Sequence, residues 1–155
     1  MIQVCEGNVL NIPSGIIVHG CNSHGVMGAG IALEVKRRFP DAFLTYRKAY
    51  EAAIQAGKPG LSLGDIFPVV ITETFVIVNA ITQKDTGHDP DVKYVSYDAI
   101  HDAFKQVNEI AKTLKLPVHF PLIGCGLANG KWQVVSQIID TCIDDSVEKV
   151  LWKFK

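Results

Sequence analysis

Apolar residues along the chain follow two rhythms. Gly15–His19 (GIIVH) and Thr74–Thr82 (TFVIVNAIT) are short continuous runs with no polar face, the pattern of strands covered on both sides. Elsewhere the apolar positions recur every three or four residues. Ile31, Val35 and Phe39 share one helical face, as do Phe43, Tyr46, Tyr50 and Ile54. Ile100, Phe104, Val107, Ala111 and Leu114 mark a long helix ending near Leu116, and Trp132, Val135, Ile139 and Cys142 a last one. Shorter runs at Ile2–Cys5, Asp65–Ile71, Val118–Ile123 and Val147–Phe154 complete the strands, with a hairpin expected through Thr72–Glu73.

Punctuation sets the boundaries. Pro40 stops the first helix, Asp41 caps the next, and Gly57 ends it. Glu34 and Arg38 are spaced to pair on the solvent side. Strands alternating with helices predict an α/β sheet covered on both faces, with ligands bound beyond the carboxyl ends of its strands.

Composition narrows the picture. The 155 residues suit one domain, residues 1–155, and 48% apolar residues suffice for its core. A net charge of −1 gives no electrostatic footprint for duplex nucleic acid or an anionic membrane. No apolar run reaches membrane-spanning length, and no secretory leader is visible in MIQVCEGNVL, so a cytoplasmic location is expected. Cys5, Cys21, Cys125 and Cys142 lack paired metal-ligand spacing and read as free thiols; no metal and no cofactor are expected.

Two glycine-rich segments change what the fold implies. Gly20–Gly30 and Gly124–Gly130 each leave a strand and enter a helix, and together hold seven glycines. Backbone without side chains can approach a ligand closely, and the first turn of a helix offers unpaired N–H groups to an anion. Neither segment is a P-loop, and the dinucleotide fingerprint is matched only loosely. The pair together point to a diphosphate held between them.

The stretches EGNVL, HGCN followed by MGAGIA, and IGCGLANGKW resemble the macrodomain, a module that binds ADP-ribose. The resemblance runs over essentially the whole chain and implies a three-layer α/β/α sandwich with a mixed central sheet. Two branches of the family are most similar. One removes phosphate from ADP-ribose-1″-phosphate; the other strips ADP-ribose from acidic side chains of proteins. By this resemblance the backbone of Met27, Gly28, Ala29, Gly30 and Ile31 faces the diphosphate and distal ribose. Gly124, Cys125, Gly126, Leu127, Ala128 and Asn129 wrap the other side. The adenine pocket lies near Asn8 and Val9, with Phe154 able to stack on the base.

Three residues are the candidates for chemistry. Asn22 can orient ribose hydroxyls through its amide, or simply form a turn. His19, which resembles a histidine of the phosphatase branch, can relay a proton, or lie satisfied in the core. Lys84 matches the nucleophilic lysine of the protein-deribosylating branch, but the aspartate that assists it there is replaced by Ala128; Asp85 or His88 in the polar loop Gln83–Asp91 are the substitutes, with no spacing that supports their geometry. Cys125 lacks the arginine-closed loop of cysteine phosphatases and is expected to contribute backbone only. The leading expectation is hydrolysis of ADP-ribose-1″-phosphate. Alternatives are release of ADP-ribose from protein or nucleic acid, a non-catalytic ADP-ribose reader, and a nucleotide-binding subunit of a larger assembly.

Overall fold

A computed structural model describes residues 1–154. Six strands form one sheet: β1 (Gln3–Glu6), β2 (Gly15–Asn22), β3 (Ile66–Thr72), β4 (Phe75–Gln83), β5 (Val118–Phe120) and β6 (Lys149–Lys153). Their order is β1-β6-β5-β2-β4-β3, and every neighbouring pair is parallel except β3 with β4. The sheet is therefore mixed, with one antiparallel hairpin at its edge. Pro68 sits in that edge strand, where the missing N–H is tolerated.

Helices α1 (Gly30–Arg38) and α2 (Pro40–Gln55) cover one face, and α3 (Tyr97–Leu114) and α4 (Trp132–Cys142) the other. Alternation along the two central strands serves both layers. Ile16, Val18, Val76 and Val78 pack toward α3 and α4, while Ile17, Ile77 and Ile81 pack toward α1 and α2. Beneath α3 and α4, Phe104 and Phe120 meet edge to face at 5.9 Å, and Trp132 tilts against Phe120 at 6.1 Å. Trp132 is thus a core residue.

Helix boundaries differ in detail from the expected ones. Phe39 occupies the cap and Pro40 the first turn of α2, where its fixed φ fits, so Asp41 lies inside the helix rather than capping it. Gly57, at φ +82°, closes α2 as expected, its N–H donating to the Ile54 carbonyl at 3.0 Å. Arg38 does not pair with Glu34. Its guanidinium bonds the Asn11 side chain at 2.8 Å and the Leu10 carbonyl at 3.0 Å, and Arg37 takes Glu34 at 3.3 Å. Ser96 caps α3 by accepting from the Ala99 N–H, a contact worth about 1 kcal/mol. Among the described residues no helix is long and apolar enough to cross a membrane.

Candidate functional site

The carboxyl ends of the parallel strands β2, β4 and β5 open onto one cleft of about 440 Å³, in the size range of small-molecule sites. Its first wall is the segment from Asn22 to Ile31. Asn22 closes β2 and organises the loop that follows. Its Oδ1 accepts from the His24 N–H at 2.8 Å, and its Nδ2 donates to the Val26 carbonyl at 2.8 Å. The buried Tyr46 hydroxyl of α2 lies 2.7 Å from the Asn22 carbonyl and 2.9 Å from Oδ1, and accepts from the Gly25 N–H at 3.0 Å. Burial pushes that phenol well above its usual range, so it stays protonated and able to donate.

Past this hub the loop is bare. A Cβ at Gly28 or Gly30 would meet nothing within 4 Å. Ala29 caps α1 without a side-chain bond, so the N–H groups of the first turn are free to meet an anion. Gly28, Ala29, Gly30 and Ile31 all line the cleft. Met27 does not: it is 2% exposed and anchors the loop in the core.

The second wall follows β5. Gly124 (φ +73°) turns the chain, and its carbonyl accepts from the Gly130 N–H at 2.7 Å, closing the loop on itself. A Cβ at Gly124 would stand 2.6 Å from Val95 Cγ2. Gly124, Gly126, Leu127 and Ala128 line the cleft opposite the first wall, so the two glycine segments do converge on one space. Cys125 is set back. Its thiol donates to the Ile123 carbonyl at 3.4 Å, and burial pushes its pKa up to about 11, leaving no thiolate for nucleophilic attack. Asn129 also points elsewhere: its Nδ2 donates to the carbonyls of Asp89 and Val92.

A third wall comes from the segment after β4. Thr86, Gly87 and His88 line the cleft, with Gln83 at their base. In the sequence this stretch reads as a polar loop, with Asp85 or His88 as stand-ins for the missing aspartate but no pattern that supports their geometry. The signal that finds it is topological: β4 runs parallel beside β2, so its carboxyl end opens on the same side.

The remaining candidates lie outside the cleft. His19 is wholly buried on the α2 side of β2, its Nε2 2.7 Å from Asn79 Oδ1. Asn79 uses Nδ2 to donate to the carbonyls of Ala42 (3.0 Å) and Phe67 (3.2 Å). Its oxygen therefore faces the ring, and His19 donates from Nε2. Desolvation lowers the His19 pKa from 6.5 to about 4, so the ring is neutral. A sealed, neutral imidazole cannot exchange protons with a ligand, and the catalytic expectation for His19 is corrected to a structural one. Lys84 is exposed and does not line the cleft; its carbonyl accepts from the Ser23 N–H at 3.2 Å. Asn8 caps the short helix Val9–Asn11 by accepting from Leu10 N at 2.9 Å, and Val9 is buried beneath it. Phe154 is 80% exposed and is not among the cleft residues.

Sequence relationships agree with this geometry. The model of the Macro domain family matches residues 18–139. The chain belongs to that family. This macrodomain is 30% identical over 157 aligned residues to the DNA ADP-ribosyl glycohydrolase of Thermus aquaticus, a match covering 100% of the chain and 41% of that protein. The chain thus spans less than half the length of that relative. It is 24% identical to the ADP-ribose 1″-phosphate phosphatase of Candida albicans, over 86% of the chain and 88% of that protein. Among solved structures, the macrodomain of Thermus aquaticus DarG superposes with a TM-score of 0.76 at 26% identity, covering 100% and 98% of the two chains. The macrodomain fold expected from the glycine motifs is the fold observed. Both curated relatives carry the names of hydrolases acting on ADP-ribose derivatives.

Proposed function

We propose that this macrodomain binds ADP-ribose along the three-walled cleft and releases it from a conjugate by hydrolysis at C1″ of the distal ribose. Water adds to C1″, the bond from C1″ to the attached group breaks, and that group leaves with a proton. One observation supports the reading best. The cleft is walled mainly by glycines, small side chains and free helix-start N–H groups, which suit a diphosphate, and among the described residues it holds a single histidine, His88. Among the described residues Asn22 uses one amide hydrogen, on the Val26 carbonyl, and the other is available to a ribose hydroxyl. His88 supplies the proton for the departing group.

Burial of His19 removes the proton relay on which a phosphatase mechanism rested, so an ADP-ribosylated protein or nucleic acid stands ahead of ADP-ribose-1″-phosphate as the substrate. Lys84, exposed two residues before the cleft-lining Thr86, supports this order through its likeness to the lysine of the protein-deribosylating branch. The phosphatase remains the second reading, supported by the likeness to the Candida albicans enzyme.

The test is calorimetric titration with ADP-ribose, followed by turnover of an ADP-ribosylated oligonucleotide, a glutamate-modified peptide and ADP-ribose-1″-phosphate. His88→Gln is expected to retain ADP-ribose binding and lower turnover by about a hundredfold. Binding without turnover of any of the three leaves a reader, and no binding at all ends the proposal.

A further inference from the structure

Asn129 has the left-handed backbone conformation (φ +61°), one that asparagine tolerates better than most residues. This turn carries its side chain out of the cleft and onto the segment between β4 and α3. Nδ2 donates to the Asp89 carbonyl at 2.9 Å and to the Val92 carbonyl at 2.6 Å. Both hydrogens of the amide are used, each on main chain that belongs to no regular element.

The segment has two roots. At its start, Lys84 is tied to the first glycine loop through the Ser23 N–H, and Asp85 bonds His24 Nε2 at 2.8 Å. At its end, the N–H groups of Tyr94 and Val95 both donate to the Ala128 carbonyl, at 2.9 and 3.2 Å. Between these roots lie Thr86, Gly87 and His88, the third wall. Among the described residues, no protein hydrogen bond reaches the Thr86 or His88 side chain. Asp89, the next residue, receives the Asn129 amide. Its own N–H reaches the Tyr94 hydroxyl at 3.3 Å, and its carboxylate accepts from the Asp91 N–H at 2.9 Å.

We propose that Asn129 is a positioning residue: its amide clamps the second glycine loop to the segment that follows β4 and so seats His88 and Thr86 against the cleft. It touches neither ligand nor reacting atoms. The inference rests on the proposed function only for the choice of ligand, because the clamp itself exists in the free protein.

Two substitutions isolate it in the full chain. Asn129→Gly keeps the left-handed turn and removes the amide. Asn129→Asp keeps the shape but turns a carboxylate oxygen on two carbonyls. In the free protein, the hydrogen-bonded amides within residues 86–92, those of Asp89, Asp91 and Val92, are expected to exchange hydrogen about tenfold faster in Asn129→Gly, with β2 and α3 unchanged. ADP-ribose is expected to bind about tenfold more weakly, and Asn129→Asp to be at least as impaired as Asn129→Gly. Unchanged exchange over 86–92 overturns the clamp. Faster exchange throughout β2 and α3 overturns it too, by making the residue a general stabiliser. Faster local exchange with undiminished ADP-ribose affinity overturns the positioning role. Should the unsubstituted protein fail to bind ADP-ribose, the functional reading falls, and the exchange experiment alone decides the clamp.

Discussion

The two sides of the sheet support their glycine loops by different means. On the α2 side, buried polar side chains carry the load: Tyr46 gathers Asn22 and Gly25, and Asn79 joins His19 to the carbonyls of α2 and β3. On the α3 and α4 side, the residues beneath the second loop are almost wholly apolar, with interlocked aromatics at their centre. Thr82 apart, the polar groups buried there, such as Lys149 with its bond to Asp140 at 2.7 Å, lie at the opposite end of the sheet. A loop pinned by a side-chain network is held from below. The second loop closes on itself and is braced sideways through Asn129. The difference teaches that two loops of similar composition need not respond alike to pH or to mutation. Beside its glycine loop the polar side carries His19, whose protonation matters in acid.

The largest expected effect tests that contrast with acid. His19 is neutral in the fold, with a pKa of about 4 against an ordinary 6.5. The unfolded chain therefore takes up a proton below pH 6.5 that the folded chain refuses until about pH 4. Its contribution to stability is full above pH 6.5 and is lost as pH falls through that window, by about 3 kcal/mol. Urea denaturation at pH 7 and pH 4.5 is expected to show a steeper loss in the unsubstituted protein than in His19→Gln, which cannot titrate. Equal slopes would mean that His19 is not sealed. Because the ring does not reach the cleft, His19→Gln should also keep turnover per folded molecule.

Much of this division was legible in the sequence, and the gaps have physical causes. The unbroken apolar runs GIIVH and TFVIVNAIT identify the two central strands, and helical spacing identifies the stripes of α3 and α4. The paired glycine motifs locate two walls of the cleft. What the pattern could not give is partnership across long separations. His19 meets Asn79 sixty residues away, so its burial reads only as an ambiguity at the end of an apolar run. Thr86–His88 has no motif of its own, and becomes a wall because β4 lies parallel beside β2. Asn129 sits inside a ligand-binding motif, yet one positive φ turns its side chain outward.

A middle-sized effect comes from the hub itself. Tyr46→Phe deletes one hydroxyl and leaves the buried Gly25 N–H without its acceptor, while Asn22 loses the donor that steadies it. Stranding buried polar groups is expected to destabilise the fold by about 2 kcal/mol. Thermal and urea unfolding should both register the loss, and ADP-ribose affinity should drop with it. Asn129→Gly, by contrast, should weaken binding with little change in the unfolding midpoint. If both variants shift stability equally, the two loops are supported alike and the comparison fails.

The smallest effect has the opposite sign and concerns the polar exception near the cleft on the apolar side. Thr82 faces α3 and is fully buried, and its hydroxyl is the only buried side-chain polar atom among the described residues without a hydrogen-bond partner. It lies against Gly20, where a Cβ would come within 2.6 Å of the oxygen; Gly20 itself lines the cleft floor. An unpaired buried hydroxyl is destabilising, and valine has the same shape without it, so Thr82→Val is expected to stabilise the free protein by up to about 1 kcal/mol. Unfolding in the absence of ligand measures this directly. A loss of stability would show that the hydroxyl is already satisfied by an ordered water. A gain in stability accompanied by weaker ADP-ribose binding would mean that the floor beneath Gly20 yields when the ligand enters. The apolar side would then carry a polar contact that forms only in the complex.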